Sequence, residues 1–122
     1  MAITSQHLLD EEEEEISYAK VEALLVGGAD TEIPDMDGNT PIFCSVARSF
    51  VKVVRLFIAS GANVNHMNKM GKTPLFLACL TKNKECIDVL LKAGARVSLV
   101  DFADLSARGV ETEITDILRA SG

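Results

Sequence analysis

The feature that most restricts the fold of this chain is a period of 33 residues. Gly28, Gly61 and Gly94 are each 33 apart, and each is followed by alanine, at Ala29, Ala62 and Ala95. Gly38 and Gly71, Thr40 and Thr73, and Pro41 and Pro74 keep the same spacing. A fixed period of this length marks a solenoid, in which each unit buries its apolar face only against its neighbours.

Each part of the period has a local physical meaning. Thr40 and Thr73 are suited to cap a helix N-terminus through the hydroxyl oxygen. Pro41 and Pro74 then occupy the first helical position, where a missing N–H costs nothing. A first helix is expected over about 41–48 and 74–81, with the small residues Ser45, Ala78 and Cys79 admitting a close neighbour. A second helix is expected over about 51–60 and 84–93. Its apolar residues are Val53, Val54, Leu56, Phe57 and Ile58 in one copy and Cys86, Ile87, Val89, Leu90 and Leu91 in the other. That stripe is broader than one exposed face allows, so contact on most sides is implied. Gly61 and Gly94 fit the left-handed position that ends a helix.

The chain of 122 residues is one domain's worth, and 48% of it is hydrophobic, with one Tyr, five Phe and no Trp. The core must therefore come from Leu, Val, Ile and Ala. Of the net charge of −6, the run Asp10–Glu15 carries all six units, since the remaining 12 acidic and 12 basic residues cancel. Such a balance argues against nucleic acid as ligand. It leaves a protein partner with a basic patch as the ligand that the acidic run suits. The plain alternative for that run is a solvated helix face, and a metal-binding or acidic docking element is the other. No signal peptide and no membrane-length apolar stretch is visible. Three cysteines without C-x-x-C spacing suit a reducing compartment, so a cytoplasmic or nuclear location is expected.

The segments Gly38-Asn39-Thr40-Pro41-Ile42 and Gly71-Lys72-Thr73-Pro74-Leu75, with Gly61-Ala62-Asn63-Val64-Asn65, resemble the ankyrin-repeat consensus, and the resemblance covers essentially the whole chain. It implies an all-α solenoid of helix-turn-helix units with β-hairpin finger loops, here near 29–40, 62–73 and 95–106. The sequence departs from the consensus in having Phe43 and Phe76 where the family has His, and Ser49 and Lys82 where it has an interhelical Gly. The expected units are an N-terminal capping repeat at 1–37, repeats at 38–70 and 71–103, and a shortened C-terminal cap at 104–122. Stepping back 33 from Thr40 lands on His7 without a gap, so Leu8 and Leu9 would open a first helix and Tyr18–Val26 would form the second. At the other end Asp116-Ile117-Leu118-Arg119 follows Asp88-Val89-Leu90-Leu91 by 28 residues, which leaves room only for a curtailed first helix and a final helix near 112–120.

The resemblance also implies a function. Members of the family bind proteins on a concave face made of finger tips and the first-helix row, and this chain is expected to do the same as a monomer, as an inhibitor or an adaptor. The corresponding positions here are Met36, Asp37 and Asn39, then Lys69, Met70 and Lys72, then Phe102, Ala103 and Leu105 at the tips. The first-helix row is Glu14 and Glu15, Ala47 and Arg48, and Leu80 and Thr81. Met and Phe at turn tips suggest that a partner covers them. The alternative is a structural segment of a larger scaffold. Catalysis is not expected: His7 and His66 are the only imidazoles, and no Gly-rich phosphate loop is present. No cofactor and no metal are expected. Cys79 and Cys86, with His66, could be read as ligands, but both cysteines fall at positions the family buries. Cys44 lies nearer the open face.

Overall fold

A computed structural model describes the backbone of residues 5–110 and 112–121 and the side chains of residues 12–110 and 112–121. Seven helices follow one another among these residues: α1 (Ser5–Val26), α2 (Pro41–Ala47), α3 (Val51–Ala59), α4 (Pro74–Thr81), α5 (Lys84–Lys92), α6 (Phe102–Ala107) and α7 (Thr112–Ser121). A short 3-10 turn lies at Val97–Leu99, and no strand occurs among the described residues. Two rows result. Helices α2, α4 and α6 pack in succession as the first-helix row, and α1, α3 and α5 as the second. Among the described residues no helix is long and apolar enough to cross a membrane.

In the interior units the helices start where Pro41 and Pro74 allow and end within a residue or two of the expected places. Ile42, Phe43, Val46, Val53, Val54 and Phe57 of one unit meet Leu75, Phe76, Cys79, Cys86, Ile87 and Leu90 of the next in one buried cluster. Burial of a side chain of this size contributes roughly 1.5–3 kcal/mol. Ser49 and Lys82, standing where the consensus has Gly, both adopt left-handed backbone, with φ of 58° and 59°. The two threonines differ. Thr73 accepts a bond from the Phe76 N–H at 3.4 Å. The Thr40 hydroxyl makes no such cap, because the Phe43 N–H is already taken by the Thr40 carbonyl at 2.9 Å, and Thr40 Oγ1 is buried with no partner among the described residues.

The N-terminal unit does not contain the expected pair of helices. α1 runs unbroken through Ser5–Val26 and packs on α3, in the second-helix row. The 33-residue spacing explains why. The positions of Ile42, Phe43, Ser45 and Val46, all buried, correspond to Leu9, Asp10, Glu12 and Glu13. A first helix here would bury three carboxylates, each at a cost of several kcal/mol. Nothing between Leu9 and Val26 breaks a helix either, so continuation is the lower-energy course. Glu14 and Glu15 therefore do not stand in the first-helix row.

The third finger is also replaced. Gly38 and Gly71 close their fingers with φ of 79° and 74°, a conformation that suits glycine. The equivalent position in the last unit is Asp104, and the chain there turns into α6 instead. Leu105, expected at a finger tip, is fully buried, and Phe102 opens the helix half-buried, with the Arg119 guanidinium 5.2 Å from its ring centre. The final helix α7 is where the sequence places it, with Ile114, Thr115 and Leu118 inward.

Candidate protein-binding surface

The two fingers owe their shape to the residues at 35 and 68. The Asp35 carboxylate accepts from the Asp37 and Asn39 N–H groups at 2.9 Å each. One period later Asn68 Oδ1 accepts from the Met70 and Lys72 N–H groups at 3.0 Å each. A further period on, Asp101 uses the same oxygen to cap α6 by accepting from the Asp104 N–H at 3.0 Å. The same short side chain thus holds a turn twice and starts a helix once, as the following glycine is present or absent.

Adjacent fingers are stitched together. The Lys69 N–H donates to the Asp37 carbonyl at 3.0 Å, the Asn68 amide to Asn39 Oδ1 at 2.9 Å, and His66 Nε2 lies 3.0 Å from the Gly38 carbonyl. A Cβ on Gly38 would meet the Lys69 nitrogen at 2.8 Å, so the close approach itself requires glycine. At the finger bases the Asn63 N–H donates to Glu32 Oε1 and, one period later, the Arg96 N–H donates to Asn65 Oδ1, each at 2.8 Å. At the tips of the linked turns Met36 and Met70 are 89% and 73% exposed.

Several of the expected residues meet. Met70, Lys72 and Leu80 line one hollow of about 170 Å³ between the second finger and the first-helix row, together with Phe43, Phe76 and Arg108. Lys72 lies at its centre. Its ammonium stands 4.5 Å from the centre of the Phe76 ring and 2.6 Å from the Asp104 carboxylate. Arg108 reaches the same carboxylate at 2.8 Å. Lys72, and Arg108 after it, hold the Asp104 carboxyl below its ordinary range. Phe76, which the sequence marks only as a departure from the consensus, and Asp104 and Arg108 are not among the residues expected on this surface. Asp104 stands where the finger glycine would be, and Arg108 follows α6, the curtailed first helix of the last unit.

Other expected residues lie elsewhere. Arg48 pairs with Glu13 of α1 and stands 4.6 Å from the centre of the Phe50 ring. Thr81 bonds back to the Ala78 carbonyl at 2.9 Å. Glu15 lines a hollow with Tyr18 and Lys52, on the side of α3. Asp37 and Lys69 are exposed and Asn39 half-buried at the finger tips. Cys79 and Cys86 are wholly buried, which pushes their thiols up to about 12 and about 11. Cys44 is exposed, and its thiol is raised by partial burial and by the charge of Asp35. Among the described residues no group of three His, Cys, Asp or Glu is placed to hold a metal ion.

The sequence model of ankyrin repeats matches residues 14–101 in three copies, a span that starts inside α1. The chain is 31% identical over 87 residues to an ankyrin repeat protein of Fowlpox virus, which covers 69% of this chain and 12% of that protein. It is 38% identical over 82 residues to protein PhlB of Serratia liquefaciens, covering 66% and 36%. It is 31% identical over 85 residues to the human B-cell lymphoma 3 protein, covering 70% and 18%. The chain thus spans little more than a third of these relatives at most. Repeats of this kind generally mediate protein–protein interaction. From its three matched copies, its two helix rows and its linked fingers, the chain belongs to the ankyrin-repeat family.

Proposed function

We propose that this chain is a non-enzymatic binding module that docks a protein partner on the surface formed by its two fingers and the first-helix row, as an inhibitor or an adaptor. The observation that carries this reading is the hollow around Lys72. Exposed Met70, half-buried Leu80 and two aromatic rings adjoin charges that are already paired within the protein. An apolar group entering there displaces water without stranding Lys72 or Arg108, which is the condition for a buried anchor. Met36 and Asp37 on the first finger, and Lys69 on the second, extend the surface. The three unpaired thiols suit a reducing compartment.

The alternative, a structural segment of a larger ankyrin scaffold, draws on the small share of each relative that the chain spans. Affinity capture from native extract tests the choice. Proteins retained by the wild type should be lost or dissociate faster with Met36→Ala and Met70→Ala, by about 1–2 kcal/mol for an anchor methionine. Retention unchanged by both substitutions overturns the proposal.

A further inference from the structure

The stack is covered at one end and open at the other. α4 packs against α2 on one side and α6 on the other, whereas among the described residues α2 has no first-row helix on its outer side, because α1 stayed in the second-helix row. Pro41, Cys44, Ser45 and Arg48, at the spacing of one helix stripe, face an open groove of about 430 Å³. Of these, Cys44 and Arg48 are exposed, whereas their equivalents in α4, Leu77 and Thr81, are half-buried. The opposite wall is α1 at Ser17 and Val21, and Ile33 and Pro34 close the finger side. A second hollow of about 170 Å³ continues the groove past Val21 to Leu24 and Leu25. Along α1 the two span about 12 Å, the length of two helical turns. That is the length of α2 and α4 themselves.

The lining is apolar and the rim acidic. Ile33 and Leu24 are 64% and 61% exposed. One turn before Ser17 on the same stripe of α1 stand Glu13 and Glu14; Asp35 lines the finger side. Glu14 Oε2 is buried without a partner among the described residues. Arg48 is the basic group lining the groove, and it is held by Glu13 at its mouth. An exposed pair of this kind is worth about 0–1 kcal/mol and is readily exchanged for another cation. The asymmetry extends beyond the rim. Residues 1–37 hold eleven acidic residues and one lysine, a net −10, while residues 38–122 hold eleven basic and seven acidic, a net +4.

We propose that the vacant first-helix position beside α2 is a docking groove for a basic amphipathic helix of a partner protein, which completes the N-terminal repeat in trans. Repeat geometry specifies a helix of about eight residues, and the lining of Val21, Ile33, Phe50 and Val53 specifies an apolar stripe. Asp35 in the lining, with Glu13 and Glu14 one turn before Ser17 on α1, specifies lysine or arginine beside it. The surface is distinct from the one around Lys72, and the two can be separated by mutation.

A suitable probe is a synthetic 16-residue peptide of leucine, alanine and lysine with the leucines on one helical face. Two controls accompany it, a scrambled sequence of the same composition and a version with glutamate for lysine. The full chain should bind the patterned lysine peptide, whose helicity rises on binding, and Cys44 should then react with a thiol reagent at least tenfold more slowly. The exposed pair Ile33→Ser and Leu24→Ser together should weaken binding tenfold or more without loss of native circular dichroism. Met70→Ala should leave it within twofold, which separates this groove from the concave surface. Equal binding of the scrambled or glutamate peptide, unchanged binding by the double variant, or an unprotected Cys44 each overturns the proposal. So does concentration-dependent protection of Cys44 without peptide, which would make a second copy of the chain the occupant.

Discussion

The two ends of the stack break the repeat in opposite ways. At the C-terminus the chain gives up a finger and uses the residues to finish the core. Leu105, Ile114 and Leu118 are buried, while Glu113, Asp116 and Arg119 face outward. At the N-terminus it gives up a helix, and Ile16, Leu24, Val26 and Ile33 remain exposed. Polarity alone therefore does not make a cap. A cap needs polar groups on its outer side and apolar groups on its inner side. α7 alternates them at helical spacing, whereas the run Asp10–Glu15 places carboxylates at every angle around α1.

If this contrast is right, truncation should be felt very differently at the two ends. Leu118→Ala removes a wholly buried side chain and should cost about 2–5 kcal/mol, as should Leu90→Ala in the interior. Leu24→Ala should lie within about 0.5 kcal/mol of the wild type. Urea denaturation midpoints give all three values, and equal losses at the two ends would erase the distinction.

Thiol reactivity measures the same openness by another route. Cys44 faces the vacant position beside α2, while Cys79 and Cys86 lie within the stack. Cys44 should react at least about tenfold faster than either in the folded state, because burial blocks access and holds the other two thiols protonated, near 12 and 11. Since Asp35 also raises Cys44, its rate should remain below that of a free thiol. Three equal rates in a mass-resolved labelling experiment would mean that the N-terminal side is closed.

The C-terminal end should also carry its own acid sensitivity. Asp104 is held below its ordinary range in the folded state by Lys72 and Arg108. Its contribution is therefore present above the unfolded value of about 4 and is lost as pH falls through the lower folded value. Asp104→Asn should lower stability at neutral pH and flatten the stability–pH curve below about pH 4. A variant that retains the full acid slope would place that sensitivity elsewhere.

The smallest effect belongs to the acidic run. Replacing Glu12, Glu13, Glu14 and Glu15 by Gln relieves like-charge repulsion at a few tenths of a kcal/mol per close pair, and it also removes the exposed Glu13–Arg48 pair. The melting temperature should change little in 0.15 M salt and rise slightly at low salt. A large loss at either salt would mean that the carboxylates hold α1 in place.

The interior of this fold was legible because local and repeat signals agreed. Thr-Pro, the small residues of the first helix and the terminal Gly-Ala fixed α2 to α5 within one or two residues, and the shortened last unit correctly led to α7. The ends were less legible because alignment by spacing ignores what each position must bury. A gapless match opens a first helix at Leu8 and Leu9, but the 33-residue equivalence sets Asp10 and Glu13 against buried Phe43 and Val46. That conflict was present in the residues. So was the missing glycine at position 104, which converts a finger into α6. The meeting of Lys72 with Phe76 and Arg108 follows only once that conversion is known.

The uneven charge of the chain has an effect that no single contact shows. With about ten negative charges gathered in its first 37 residues and a positive remainder, the molecule carries a permanent electric dipole along the stack. In the field of a basic macromolecule it experiences a torque before any surface touches, so it arrives with its N-terminal end leading. That orientation narrows the angular search that normally slows protein association, and it fades as salt shortens the reach of the field.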